Sequence, residues 1–182
     1  EFLEDFPKIE FEVLYGEYAE IENWILQGRV DCGFIRLPSA AKLKTTFLKQ
    51  DELVVILPQN HPLTAAPYFP EDALDDYPFA LMDEGEDYEV EAVFDHFHVH
   101  PKVRFTAKDD HTIVAMVANE LAISLMPELV LNKMPYNIIK KGFKEPIYRQ
   151  LGIAVKDEKS ISSATQRFID YVLDWVDREA HQ

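Results

Sequence analysis

The chain has 182 residues, 47% of them hydrophobic, enough for the core of one domain or of two small lobes. Its 18 basic residues face 33 acidic ones, a net charge of −15, which excludes DNA or RNA binding by this chain alone and disfavours anionic membranes. A single cysteine, Cys32, excludes an internal disulfide and fits a reducing, cytoplasmic setting, and apolar runs such as 121–127 are far too short to span a bilayer.

No basic-then-apolar leader opens the chain. The first residues, EFLEDFP, have the look of a helix fragment stopped by Pro7. KIEFEVLYG then alternates, with Ile9, Phe11, Val13 and Tyr15 on one face, and predicts a strand. In YAEIENWILQG the apolar residues Ile21, Trp24 and Ile25 stand at helical spacing, and Gly28 suits a left-handed stop. RVDCGFIRL is the next strand, with Val30, Cys32 and Phe34 on one side, giving a β-α-β unit of the kind that builds parallel sheets.

DELVVILP is a near-continuous apolar strand, as expected where both faces are covered. The proline- and acid-rich stretch at 58–78 follows as a connection and suggests a lobe boundary. FALMD is a strand, and DYEVEAVFDHF a helix with Val90, Val93, Phe94 and Phe97 as its stripe. KVRFTA is a strand, DHTIVAMVANE a helix carrying Ile113, Val114, Val117 and Ala118, and LAISLMP a strand. PELVLNKMP is a short helix or loop, YNIIKKGF and IYRQLGIAVKD are strands, and SISSATQRFIDYVLDWVDREA is a long helix. Ser163 with Gln166 has capping-box spacing there, and Phe168, Ile169, Val172, Leu173 and Val176 share a face. Sustained alternation of strands and helices places the chain in the α/β class.

FPKIEFEVLYGE, ILQGRVDCGFI, LVVILPQNHPL and DDHTIVAMVANELAISLMPEL, in this order and spacing, resemble the effector-binding domain of LysR-type transcriptional regulators over nearly the whole chain. The resemblance implies two Rossmann-like lobes joined by two crossover strands, a type 2 periplasmic-binding-protein-like fold, with a small-molecule effector held between the lobes. On that basis lobe I is expected at 1–57 and 150–182 and lobe II at 58–149. The family's winged helix-turn-helix has no counterpart in these residues, so DNA is expected to be met only through an N-terminal domain outside them. The family domain opens with a strand ahead of FLEDFP, and this chain opens inside the helix that follows. The family commonly has glycines where this chain has Glu120 and Ala122; Asn119 is expected to take a positive φ more cheaply than Glu120.

Ligands of open parallel sheets sit outside the carboxyl ends of the strands, and helix amino ends present free N–H groups to anions. Gly16, Glu17, Tyr18, Arg36 and Leu37 occupy such positions in the first part of the chain. Met82, Asp83, Glu84, Gly85, Asp109, Asp110 and His111 occupy them in the second. The family pattern puts effector contacts at or near these turns. Each also has a plain structural reading: Glu17 as a solvated helix start, Arg36 as the partner of a surface carboxylate, and Asp109 or Asp110 as a helix cap. The acidic run from Asp83 to Glu91 reads first as a solvated helix amino end; facing a ligand, it would favour a cationic or polyhydroxylated one.

His96, His98 and His100 would share a face on a strand, but they precede Pro101 at a helix end and are expected to splay in a loop, without a metal. Cys32 reads as a small buried hydrophobe. No G-x-S-x-G, C-x-x-C, G-x-G-x-x-G or P-loop occurs, so no cofactor and no enzymatic activity is expected. The expected function is the effector-binding regulatory domain of a cytoplasmic LysR-type regulator, dimeric or tetrameric in its full-length form. A solute-binding protein of a transporter is the alternative, and a small hydrolase-like enzyme using His111 beside its aspartates is a third.

Overall fold

The computed structural model describes residues 1–83, 85, 89–157 and 161–179. The chain forms two units, Glu1–Gln50 with Gln150–Gln182, and Asp51–Arg149. In chain order the elements are α1 (Phe2–Asp5), α2 (Tyr18–Gln27), β1 (Gly33–Leu37), β2 (Lys44–Pro58), β3 (Pro78–Met82), α3 (Glu89–Phe97), β4 (Lys102–Ala107), α4 (Asp110–Ala118), β5 (Ser124–Pro127), α5 (Glu128–Leu131), β6 (Ile138–Lys141), β7 (Ile147–Val155) and α6 (Ser163–Glu179). Two 3-10 turns, Pro62–Ala65 and Glu71–Asp75, fill the proline-rich connection. Among the described residues no helix is long and apolar enough to cross a membrane.

In the first unit β1 pairs antiparallel with β7, Gly33 facing Ala154 and Leu37 facing Gln150. Helix α2 packs on β1 and buries Ile25 against Ile35 and Ala154. On α6, Ile169 packs with Ile153 and Val155, joined by Cys32 and Leu48. Helix α2 ends as its sequence requires: Gly28 takes φ 70°, its N–H donates to Ile25 O, and Arg29 N–H donates to Trp24 O, a Schellman stop.

The expected strand over 9–15 is not formed. Its alternation is a strand's, but among the described residues no neighbour supplies a hydrogen-bonding ladder, and Val13 and Tyr15 stand 85% and 90% exposed. The β-α-β unit expected around α2 is therefore incomplete. The next strand also differs in its face: Ile35 is the buried residue and Phe34 is exposed, because β1 turns Ile35 towards α2.

In the second unit β3 and β4 run parallel, Pro78 facing Lys102 and Met82 facing Ala107, with an irregularity between Phe79 and Ala80. Strand β2 pairs antiparallel with β5 and with β6. Its apolar run is covered on both faces. Leu53, Val55 and Leu57 join a core with Phe69, Phe79, Val90, Val93 and Phe94, while Val54 and Ile56 join another with Ile113, Val114 and Val117. The stripes of α3 and α4 read from the sequence are the faces that enter these cores.

Three local expectations are corrected. The side chain at the start of α6 is supplied by Ser162, whose Oγ accepts from Thr165 N–H at 3.0 Å, rather than by Ser163, which is already the first helical residue. After α4, Glu120 and not Asn119 takes the left-handed conformation, at φ 61°. Glu120 N–H donates to Val117 O and Leu121 N–H to Met116 O, so the Schellman geometry sets the position and Asn119 remains the cap, its side-chain amide donating to Ala115 O. His98 takes the same kind of stop after α3, at φ 57°, with Val99 N–H donating to Phe94 O. This is why the three histidines do not form one strand face; among the described residues no group of acid, histidine or cysteine side chains could hold a metal ion.

Candidate functional site

In the second unit the site builds from the parallel pair β3 and β4. Their carboxyl ends, Met82 and Ala107, are in register, and Asp83 N–H donates to Ala107 O at 2.8 Å, so the turns after both strands lie side by side. Each turn leads to a helix amino end, α3 at Glu89 and α4 at Asp110. Met82, Asp83, Gly85, Asp109, Asp110 and His111 are thus brought to one end of one sheet; Glu84 lies outside the described residues.

Their electrostatics are mixed. Asp83 Oδ2 lies 3.6 Å from Lys108 Nζ, and its Oδ1 accepts from Gly85 N–H. Asp109 is the N-cap of α4: its Oδ2 accepts from Thr112 N–H at 3.3 Å and from Thr112 Oγ1 at 3.2 Å. The structural reading of Asp109 therefore holds, and its exposure leaves a ligand contact open. Asp110 is half-buried, and its carboxyl is raised above the ordinary carboxylate range by that burial and by the charge of Asp109, with Arg149 and His111 opposing. His111 is exposed, its ring 5.9 Å from that of Tyr136.

Sequence reasoning missed the buried charges behind this end of the sheet. Arg149 Nε and Nη2 lie 2.9 and 2.7 Å from Asp51 Oδ2, and Arg149 Nη1 lies 3.4 Å from Glu89 Oε2, on the first residue of α3. Asp51 Oδ1 also accepts from Leu129 N–H. The side chains are 10%, 2% and 6% exposed for Arg149, Asp51 and Glu89. The available signal was a charge set inside an apolar strand pattern, Asp51 before LVVILP and Arg149 within IYRQLG; their pairing spans 98 residues and has no local signature.

In the first unit, Gly16, Glu17 and Tyr18 form the amino end of α2, and Arg36 and Leu37 the carboxyl end of β1. Tyr18 and Leu37 meet in one cluster with Ile25 and Ile35. Glu17 is the N-cap, its N–H donating to Glu20 Oε2 at 3.1 Å. Gly16 is required for packing: a Cβ there would stand 2.5 Å from the Trp24 ring. Arg36 is half-buried on β1, opposite Leu151. Burial, then the Asp31 charge, pushes the Cys32 thiol up to about 11, which favours its protonated form. A groove of about 290 Å³ lined by Phe2, Phe168, Tyr171 and Trp175 lies on other elements of this unit and is almost wholly apolar, unlike the strand-end positions.

Residues 1–177 match the family model described as the LysR substrate binding domain. Two similar curated proteins are the HTH-type transcriptional regulator YvbU of Bacillus subtilis, 24% identical over 93% of this chain, and the probable HTH-type transcriptional regulator LrrA of Synechococcus elongatus, 29% identical over 82%. The chain spans 59% and 51% of their lengths. Among solved structures, the Synechocystis CcmR regulatory domain in complex with 2-PG is similar at a TM-score of 0.86 and 24% identity, covering 96% of this chain and 87% of that one. The fold is accordingly α/β of the type 2 periplasmic-binding-protein kind, and the family match over 177 residues assigns this chain to the LysR substrate-binding domains.

Proposed function

We propose that this chain is the effector-sensing part of a cytoplasmic LysR-type transcriptional regulator. It takes a small polar molecule at the strand ends and passes the change to a separate DNA-binding domain. Its two lobes, 1–57 with 150–182 and 58–149 as read from the sequence, follow the two units, with the boundary on β2 taken at Asp51. The observation that carries this reading is the convergence in the second unit of two helix amino ends and the turns at Met82–Asp83 and Asp109–His111 on the carboxyl end of one parallel strand pair. Gly16, Glu17, Tyr18, Arg36 and Leu37 are proposed as the first unit's contribution, and Glu84 and Gly85 as part of the second's.

The domain acts by binding and not by catalysis. Effector binding shifts an equilibrium between arrangements only to the extent that it favours one of them. Homodimers or homotetramers of the full-length regulator then present their DNA-binding domains differently.

The test is thermal unfolding against a panel of organic acids, polyols and amines, with 2-PG included because the similar Synechocystis domain was solved with it. A true effector at a hundredfold excess over its Kd adds about 2.7 kcal/mol, a rise of roughly 5–10 °C for a chain of this size. Stabilisation only by compounds that the protein consumes would overturn the reading, as would a panel-wide failure that persists in the full-length regulator.

A further inference from the structure

The residues at which the chain passes between its two units are themselves the buried ion pair. Asp51 opens the second unit on β2, and Arg149 closes it on β7. The two strands are neighbours in one sheet, and the guanidinium binds the Asp51 carboxylate through Nε and Nη2. The same guanidinium reaches Glu89 at the first residue of α3, and its charge acts on Asp110 at the first residue of α4. One buried cation therefore ties both crossing strands to the amino end of α3.

We propose that Arg149 is a positioning residue that links the amino end of α3 to the two crossing strands, so that displacement of Glu89 at the site is transmitted to the junction of the units. The inference rests on the effector-sensing function proposed above and adds its route of regulation. Buried charges make such a link discrete: a carboxylate pulled from its partner is left uncompensated in a poor dielectric, so the cluster changes by exchanging partners and not by stretching. Asp51 is held at 2.7–2.9 Å by Arg149 and also by the Leu129 N–H, whereas Glu89 is held at 3.4 Å. Of the two carboxylates, Glu89 makes the longer contact with the guanidinium and is the one that exchanges in this proposal. A polar group arriving at the amino end of α3 competes for Nη1 while the Asp51 pair stays closed.

The experiment needs no effector. Spin labels are placed at the exposed positions Lys102 on β4 and Asp174 on α6, one in each unit, through K102C and D174C in a C32A background. The distance distribution between them is measured for the otherwise wild-type chain, for E89Q, for R149K and for the control D75N. Asp75 accepts from His100 N–H in the same unit, a hydrogen bond that involves none of Asp51, Glu89 and Arg149. Amide hydrogen exchange of α3 is followed in parallel.

Glu89→Gln keeps the side-chain size and leaves the Asp51–Arg149 pair intact, so it carries the test if Arg149→Lys fails to fold. In E89Q, exchange in the first turn of α3 is expected to quicken about tenfold. The mean label distance is expected to move by more than about 2 Å, or the distribution to split. D75N is expected to superimpose on the wild type. An E89Q distribution unchanged while α3 exchanges faster would show a purely local contact and overturn the proposal. Unchanged exchange would overturn it as well, because Glu89 would then not be tethered. A moved distribution in a protein for which no metabolite binds would uphold the linkage and count against the effector reading alone.

Discussion

His61 shows how a single side chain sets a pH limit. Its Nδ1 accepts from Leu63 N–H at 3.3 Å and caps the turn Pro62–Ala65, its ring stands 4.3 Å from that of Tyr77, and its buried Nε2 has no hydrogen-bond partner among the described residues. Protonation would turn the Nδ1 acceptor into a donor facing another donor, and burial lowers the imidazole below its ordinary 6.5. In the unfolded chain His61 takes up its proton at the ordinary value; in the folded chain it resists. The unfolded state therefore binds more protons between the lowered value and 6.5, and stability falls as pH drops through that window. Asp110 works in the opposite sense at lower pH: its raised carboxyl keeps a proton that the unfolded chain has released, so its contribution is lost as pH rises from 3.8 through the raised value. Thermal melts at pH 7.5 and 5.5 are expected to show a lower Tm at the acid end. His61→Asn, whose amide oxygen can still accept from Leu63 N–H without titrating, is expected to shrink that difference. An identical difference in the variant would remove His61 as its source.

Elements depend on close approach as well as on pattern, and two glycines separate the effects. At Gly152 on β7 a Cβ would stand 2.8 Å from Leu37 Cδ1 and 2.8 Å from the Thr46 carbonyl oxygen, which is backbone and cannot rotate aside. Gly152→Ala is expected to destabilise by about 1–3 kcal/mol, as overpacking does. At Gly28 nothing lies within 4 Å, and only the left-handed φ of 70° penalises a side chain, so Gly28→Ala is expected to cost roughly 1–2 kcal/mol and Gly28→Asn less. Urea titration of the three variants checks both; equal losses for Gly28→Ala and Gly28→Asn would remove the φ explanation. Only Gly28 of these two was legible in the sequence, because a helix stop is a local event. The same holds for the stripes Val90–Val93–Phe94 and Ile113–Val114–Val117, whose period alone specifies a buried face. The segment 9–15 carries an equally clear period but forms no ladder, since a strand needs a partner that no local pattern can supply. In the site, the capping role of Asp109 was legible for the helix reason, and the Arg149–Asp51–Glu89 cluster was not, because it joins residues far apart in the chain.

On the scale of the whole molecule the dominant quantity is charge. The chain carries 33 acidic against 18 basic residues, and surface pairs among the described residues, such as Lys140 2.6 Å from Glu128 and Lys108 3.6 Å from Asp83, are solvent-exposed and contribute little. The buried Arg149 cluster is shielded from ions by its depth, whereas the self-repulsion of the surface is not. Raising sodium chloride from about 10 mM to 1 M shortens the screening length from ~30 Å to ~3 Å. Repulsion between acidic residues on the compact chain is thereby removed, while in the more expanded unfolded chain it was already weaker. Tm is therefore expected to climb with salt, most steeply at the low end where the screening length falls through the spacing of surface charges. The same excess predicts that this chain does not retard duplex DNA at about 50 mM salt, where phosphate contacts are strongest. A Tm that falls with added chloride would mean that the surface pairs, and not the net charge, govern its electrostatics, and retardation of DNA would locate on this chain a basic contact surface that its composition argues against.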